Sequence, residues 1–138
     1  MKRTAKAHWS GNLKEGNGTL TTQSGIISNT KYSFKTRFEE GEKGTNPEEL
    51  LAAAHAGCFT MAVSAIVSEK GKTPAFLDTE ATVSIEGLSI TGVHLSITGS
   101  VAGIDAEEFN AITKEAEKNC LISKVLSIPI TSEAHFMA

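Results

Sequence analysis

The sequence predicts an α+β fold from three observations. The first third alternates apolar and polar residues between glycines, the middle holds one long apolar helix, and the remainder joins two alternating stretches to capped helical segments. The expected order is β-β-β-α-β-β-α-α-β, in a single domain covering 1–138, a length that supports a real core.

The opening strands are "TAKAHWSG" (4–11), "GTLTTQSG" (18–25), bounded by Gly18 and Gly25, and "KYSFKTRFEE" (31–40), where Tyr32, Phe34 and Thr36 alternate with Lys31, Lys35 and Arg37. Such patterns suit a meander of half-buried strands. "GEKGTNP" (41–47) reads as a turn leading into the helix. There Asn46 is the expected N-cap, Pro47 suits the first helical position, Glu49 completes a capping box, and Gly71 is the stop. From Leu50 to Val67 the only polar side chains are His55, Thr60 and Ser64, besides Cys58, so the helix is expected to be buried all round. At about 1.5 Å per residue it runs roughly 36 Å, more than a chain this short can cover alone. A dimer with the long helices packed inside sheet is therefore expected.

"DTEATVSIEGL" (78–88) and "ITGVHLSITGSVAG" (90–103) read as two strands around a turn at Gly87 to Gly92. Asp105 and Glu108 form a second capping box for a helix over 106–119, with Phe109, Ile112 and Ala116 as its apolar stripe. Asn119 reads as the cap of a short helix over 120–127, and 128–136 is a last strand.

The net charge is -3 and the pI about 5.8, which gives no electrostatic reason to expect nucleic acid or an anionic membrane as partner. No charge-free apolar run is read as long enough to span a bilayer. The basic residues of "MKRTAKAHWSG" have no apolar stretch behind them, so no secretory signal is expected and a cytoplasmic location is the default.

The chemistry rests on two cysteines, Cys58 and Cys120, 62 positions apart. In a reducing compartment a purely structural disulfide is not expected. Two inert buried thiols remain one reading. Cys58 sits among Ala56, Gly57, Phe59 and Met61, where burial raises a thiol's pKa unless a positive group reaches it. The small residues Ala52, Ala53, Ala54, Ala56 and Gly57 leave room either for a small substrate or for close helix packing. Cys120 lies at a helix start, which favours the thiolate and lets it attack an oxidised Cys58. Glu48 and Cys58 lie about 15 Å apart along one helix. Glu48 can therefore approach only the Cys58 of an antiparallel partner; otherwise Glu48 and Glu49 simply complement the helix dipole. His55, three residues before Cys58, would give a metal only two ligands, so no metal is expected. His8, His94 and His135 fall in strand patterns and read as structural or exposed.

At "TRFEEGEKGTNPEELLAAAHAGCF" the sequence resembles the osmotically inducible protein C (OsmC) branch of the OsmC/organic hydroperoxide resistance (Ohr) superfamily, and "AHWSG", "SGIISNTKYSFKTRFEEGEKGTNPEEL" and "GIDAEEF" extend the resemblance along the chain. The resemblance implies an OsmC/Ohr-like fold, an intertwined homodimer whose long central helices are enclosed by antiparallel β-sheets, with two sites at the subunit interface. It implies a stress-response thiol peroxidase that reduces organic hydroperoxides, and hydrogen peroxide less well, with no bound cofactor or metal and an external dithiol as reductant. Cys58 matches the family's peroxidatic cysteine, Cys120 its resolving cysteine, Arg37 the arginine facing the reactive sulfur, and Glu48 the glutamate that orients that arginine. In that scheme the guanidinium holds Cys58 as thiolate, Glu48 fixes it by a bidentate pair, and Phe59 and Met61 wall the pocket. Leu121 departs from the proline that commonly follows the second cysteine in the family. A peroxide-responsive redox sensor and a small-molecule binding module are the alternatives; the chain has no DNA-binding motif or basic patch to serve a sensor's output.

Overall fold

Alternation, turns and caps build two compact units, Met1–Leu50 and Leu51–Ala138, in a computed structural model that describes residues 1–138. In the first unit, β1 (Ala5–Ser10), β2 (Asn17–Thr22) and β3 (Thr30–Tyr32) form an antiparallel sheet in that order. The β1–β2 register runs from Ala5 opposite Thr22 to Ser10 opposite Asn17. Gly18 lets the rings of Trp9 and Tyr32 close over it, with centroids 5.6 Å apart; any side chain there would collide with both.

The strand expected over 31–40 is cut short at Tyr32. Ser33 instead caps a short helix, α1 (Phe34–Phe38), through a reciprocal pair: the Ser33 amide donates to Thr36 Oγ1 at 2.7 Å and the Thr36 amide to Ser33 Oγ at 3.2 Å. The Ser-x-x-Thr capping box outweighs the alternation of Tyr32, Phe34 and Thr36. It leaves Arg37 in the last turn of a helix rather than on a strand.

α2 spans Pro47–Glu69, and its start is half the box expected. The Glu49 amide donates to Asn46 Oδ1 at 2.7 Å, but the Glu49 carboxylate accepts from Thr45 Oγ1 at 2.8 Å instead of closing the box. The helix is not buried all round within the chain. His55, Phe59, Val63 and Val67, spaced four apart, form the buried stripe, whereas Ala53, Ala54, Gly57, Met61 and Ala65 are exposed. The expectation that no apolar run could span a bilayer also fails, since by length and composition alone α2 is sufficient, with 23 residues and an 18-residue stretch of mean hydropathy 1.9. Its polar side chains nevertheless meet protein partners: His55 is bonded to Ser123, and the Thr60 hydroxyl lies 2.6 Å from that of Thr79. Those are the contacts of a helix packed in a folded unit.

In the second unit β4 (Pro74–Glu86) and β5 (Ser89–Val101) form a hairpin closed by Gly87 and Leu88, tighter than the turn expected between Gly87 and Gly92. Gly87 has φ +60°, the left-handed conformation such a turn needs. α3 (Ala106–Asn119) and α4 (Leu121–Val125) then carry the chain to β6 (Ile130–Phe136). β6 pairs with β5 in parallel, Val93 opposite Ile130 through Gly99 opposite Phe136. The second sheet, β4-β5-β6, is therefore mixed rather than wholly antiparallel, because two helices intervene between its paired strands.

One core serves this unit. Val93, Leu95, Ile97 and Val101 alternate inward from β5, α3 contributes Phe109, Ile112 and Ala116, and α2 contributes Phe59, Val63 and Val67. Cys120 belongs to the same cluster.

Candidate active site

Cys120 is fixed because it serves two helices. Its amide donates to Ala116 O at 3.0 Å as the C-cap of α3, and its carbonyl accepts from the Lys124 amide at 3.1 Å as the N-cap of α4. The cap is thus Cys120 itself, one residue beyond the Asn119 expected. Its sulfur takes the role usual for a cap oxygen and accepts from the Ser123 amide at 3.4 Å. The Ser123 hydroxyl adds a second contact at 3.3 Å. Both cysteines are free, Cys120 buried and Cys58 partly exposed.

Cys58, on α2, is brought to the same helix start. Its thiol is close enough to the Cys120 thiol and to the Ile122 and Leu121 amides for each to act on its ionisation. Burial pushes Cys58 above its ordinary value; the Ile122 amide opposes this, the Cys120 side chain and its charge add to it, and the Leu121 amide opposes it again. Burial also pushes Cys120 upward, but the Ser123 hydroxyl and amide, the Cys58 thiol and the Ile122 amide together outweigh it, and Cys120 falls below its ordinary value. Cys120 is therefore the more readily ionised of the two thiols. Within the second unit the thiols are set by amides and hydroxyls, not by a cation.

The other two site residues meet within the first unit. Arg37 Nε and the Arg37 Nη2 amine donate to Glu48 Oε1 at 2.9 and 2.6 Å. The pair is not the fork-to-fork arrangement expected. Both donors share one oxygen, and Glu48 Oε2 is buried without a partner. Arg37 also lies 5.4 Å from the centre of the Phe38 ring, and 43% of its side chain remains exposed against 9% for Glu48. A half-exposed guanidinium retains free donors, and the orphaned carboxylate oxygen has capacity for another.

Phe59 is not a pocket wall; it is fully buried in the core. The open apolar surface on α2 is instead a shallow groove lined by Ala56, Gly57, Thr60, Met61, Phe76 and Thr79, with Met61 74% exposed.

Ser123 was legible as the third residue after Cys120, the spacing of a helix cap and its N3 amide, but no reading of the sequence assigned it a role. Leu121 contributes through its backbone. As the first residue of α4 it has a free amide, and proline would abolish that donor while suiting the position. Cys120, at φ -62° and ψ 141°, already has the conformation favoured before proline. Leu121→Pro should therefore leave the fold intact and remove one donor from Cys58. Alkylation of Cys58 at neutral pH is expected to slow by a factor of about three to ten, the worth of a ~1 kcal/mol hydrogen bond. An unchanged rate would show that the Leu121 amide does not tune the thiol.

Comparison with known proteins places these residues in a family context. A family model described as OsmC-like protein matches residues 40–134. The chain is 47% identical over 135 residues to Peroxiredoxin OsmC of Escherichia coli (strain K12), covering 95% of this chain and 94% of that protein. It is 35% identical over 105 residues to the organic hydroperoxide resistance protein OhrA of Bacillus subtilis (strain 168), covering 70% and 72%. The fold is similar to that of the OsmC-like protein VCA0330 from Vibrio cholerae, with a TM-score of 0.75 at 17% identity over 97% of this chain and 99% of that one.

Proposed function

The chain belongs to the OsmC-like protein family and is a cysteine-based peroxidase, and from that premise we propose that it reduces organic hydroperoxides to alcohols through Cys58 and Cys120. One observation carries the reading: two free thiols lie close enough to act on each other at the start of α4, and the more exposed of them is Cys58. The exposed thiol is the one a peroxide can reach, and the buried one can act only on its neighbour.

Cys58 attacks, as thiolate, the terminal oxygen of the hydroperoxide. The O–O bond breaks, the alkoxide leaves and takes a proton to become the alcohol, and Cys58 retains the hydroxyl as a sulfenic acid. Cys120 then attacks the Cys58 sulfur. An S–S bond forms, the S–O bond breaks, and hydroxide leaves as water after protonation. An external dithiol reduces the disulfide by exchange. Hydrogen peroxide follows the same course, more slowly because it has no apolar substituent to bury.

The first step needs the charge on Cys58, which burial and Cys120 both oppose. We assign that task to Arg37, oriented by Glu48. An arginine side chain remains charged in this pH range, and its free donors suit a thiolate and the developing charge on the leaving oxygen. We read the chain as one OsmC-like domain, with Glu48 contributed to Cys58 across a homodimer. The exposed stripe of Ala53, Ala54, Gly57, Met61 and Ala65 supports that assembly, since small apolar residues allow a second helix to approach closely. A cytoplasmic setting fits two free thiols that close a bond only during turnover. Arg37→Ala should shift Cys58 alkylation to higher pH; an unchanged pH profile would remove Arg37 from the site.

The test is consumption of cumene hydroperoxide, beside hydrogen peroxide, with excess dithiothreitol or dihydrolipoamide. Multiple turnovers favouring the organic peroxide, with a Cys58–Cys120 disulfide after one equivalent, are expected. Consumption without that disulfide would overturn the role given to Cys120, and preference for hydrogen peroxide would overturn the substrate class.

A further inference from the structure

His55 is fully buried, carries no role in the chemistry above, and leads directly to the second thiol. Its Nε2 lies 2.8 Å from Ser123 Oγ, and that hydroxyl lies 3.3 Å from Cys120 Sγ. We propose that His55, acting through the Ser123 hydroxyl, is a positioning residue that holds Cys120 as the nucleophile for disulfide closure. The inference rests on the assignment of Cys120 as the resolving thiol.

The hydrogen bonds can run in only two directions, because Ser123 has one hydroxyl proton. If it donates to Cys120, its oxygen accepts from His55 Nε2–H and Nδ1 is a bare acceptor. If it donates to His55, Nδ1 carries the proton. Nδ1 is buried and has no partner. A buried orphan donor is the rarer and costlier outcome, so the bare acceptor is favoured. Burial holds His55 below its ordinary pKa, which keeps the ring neutral with one proton to give. The chain then runs from Nε2–H to Oγ–H to sulfur, each donor strengthening the next, and ends on a thiolate.

Few other groups compete for this control. Cys58 is the titratable side chain facing Cys120 from α2, and α2 carries no Asp, Glu, Lys or Arg between Leu50 and Ser68. Lys118 of α3 and Lys124 of α4 are exposed, and the Glu117 carboxylate is engaged by Ser132 and Lys114. On the sheet, His94 is bonded to Thr131 and Glu133. In the closing step the Cys120 thiolate forms the bond to Cys58, hydroxide leaves the sulfenic acid, and solvent supplies the proton that makes it water. His55 keeps its proton throughout.

The experiment separates the relay from the peroxidase assignment. In a Cys58→Ser background only Cys120 titrates, and thiolate absorbance near 240 nm follows it without any peroxide. Ser123→Ala and His55→Phe should each leave roughly tenfold less thiolate at neutral pH, the worth of one hydrogen bond to a charged group. The double variant should show no further loss. Ser123→Thr, which keeps the hydroxyl, should restore the titration, and this small change guards against a His55 variant that fails to fold. With Cys58 present, one equivalent of cumene hydroperoxide should give an alcohol burst at least as fast as in the wild type, because less charge on Cys120 opposes Cys58, but about tenfold slower disulfide closure in Ser123→Ala, with Cys58 sulfenic acid trapped by dimedone. Loss of thiolate in Ser123→Ala but not in folded His55→Phe overturns the role of His55, and no loss in either overturns the relay. If wild-type protein forms no disulfide, the resolving assignment falls, whatever the titration shows.

Discussion

Cys58→Ser should abolish peroxide turnover, to below about one part in a thousand of the wild-type rate, while leaving the fold intact. The Cys58 sulfur is the accessible atom of the pair that can accept oxygen from a peroxide and later lose it as water when a thiol attacks. A serine hydroxyl has no comparable chemistry and cannot be recovered by a dithiol. The substitution is nearly isosteric, and Cys58 is only partly buried, so packing changes little. Peroxide consumption measured against excess dithiothreitol is the readout. Undiminished turnover would sink the assignment, because Cys120 is buried and cannot take over.

Cys120→Ser has two expected effects with opposite signs. The Cys120 side chain and its charge contribute to holding Cys58 above its ordinary value. Removing them should bring the Cys58 thiol down, although burial still opposes ionisation, and its alkylation should move to lower pH than in the wild type. The first equivalent of peroxide should therefore be reduced at least as fast. Turnover should then fall by about a hundredfold or stop, since no thiol within the chain can close on the sulfenic acid. Further peroxide should drive Cys58 to the sulfinic acid, read as a gain of two oxygens by mass spectrometry. Sustained catalysis with wild-type efficiency would remove Cys120 from the cycle. An alkylation profile shifted upward would contradict the charge coupling between the two thiols.

Much of the architecture was legible in residue patterns. The capped helix over 106–119 was readable because Asp105 and a regular apolar stripe agree, and Asp105 Oδ1 does accept the Glu108 amide at 2.8 Å. The stretch around Arg37 was not, because alternation and a Ser-x-x-Thr cap compete within a few residues. Local hydrogen bonds at Ser33 and Thr36 decided the outcome. The parallel pairing of β6 was illegible for a different reason: an alternating strand has the same pattern in either direction, and the partner lies outside the local sequence. Within the candidate site, the residue types singled out Cys58 and Cys120, and the fold brings the two thiols near each other. Composition could not reveal that Ser123 and the backbone of α4 would set their charge. Those effects depend on Cys120 capping a five-residue helix, a detail of one turn. Phe59 illustrates the opposite error, since a residue next to the thiol in sequence faces the core.

The placement of Cys120 between α3 and α4 has a thermodynamic consequence. A disulfide between Cys58 and Cys120 would tie the middle of α2 to the junction of α3 and α4 and close a loop of 62 residues, 120 minus 58. On the chain-entropy account such a crosslink raises folding stability by about 4 kcal/mol. By linkage, the folded protein then holds its disulfide more tightly than the unfolded chain would, by about 90 mV in reduction potential. Each oxidation would make the molecule harder to melt and also harder to reset. The donor that restores it must supply that extra driving force.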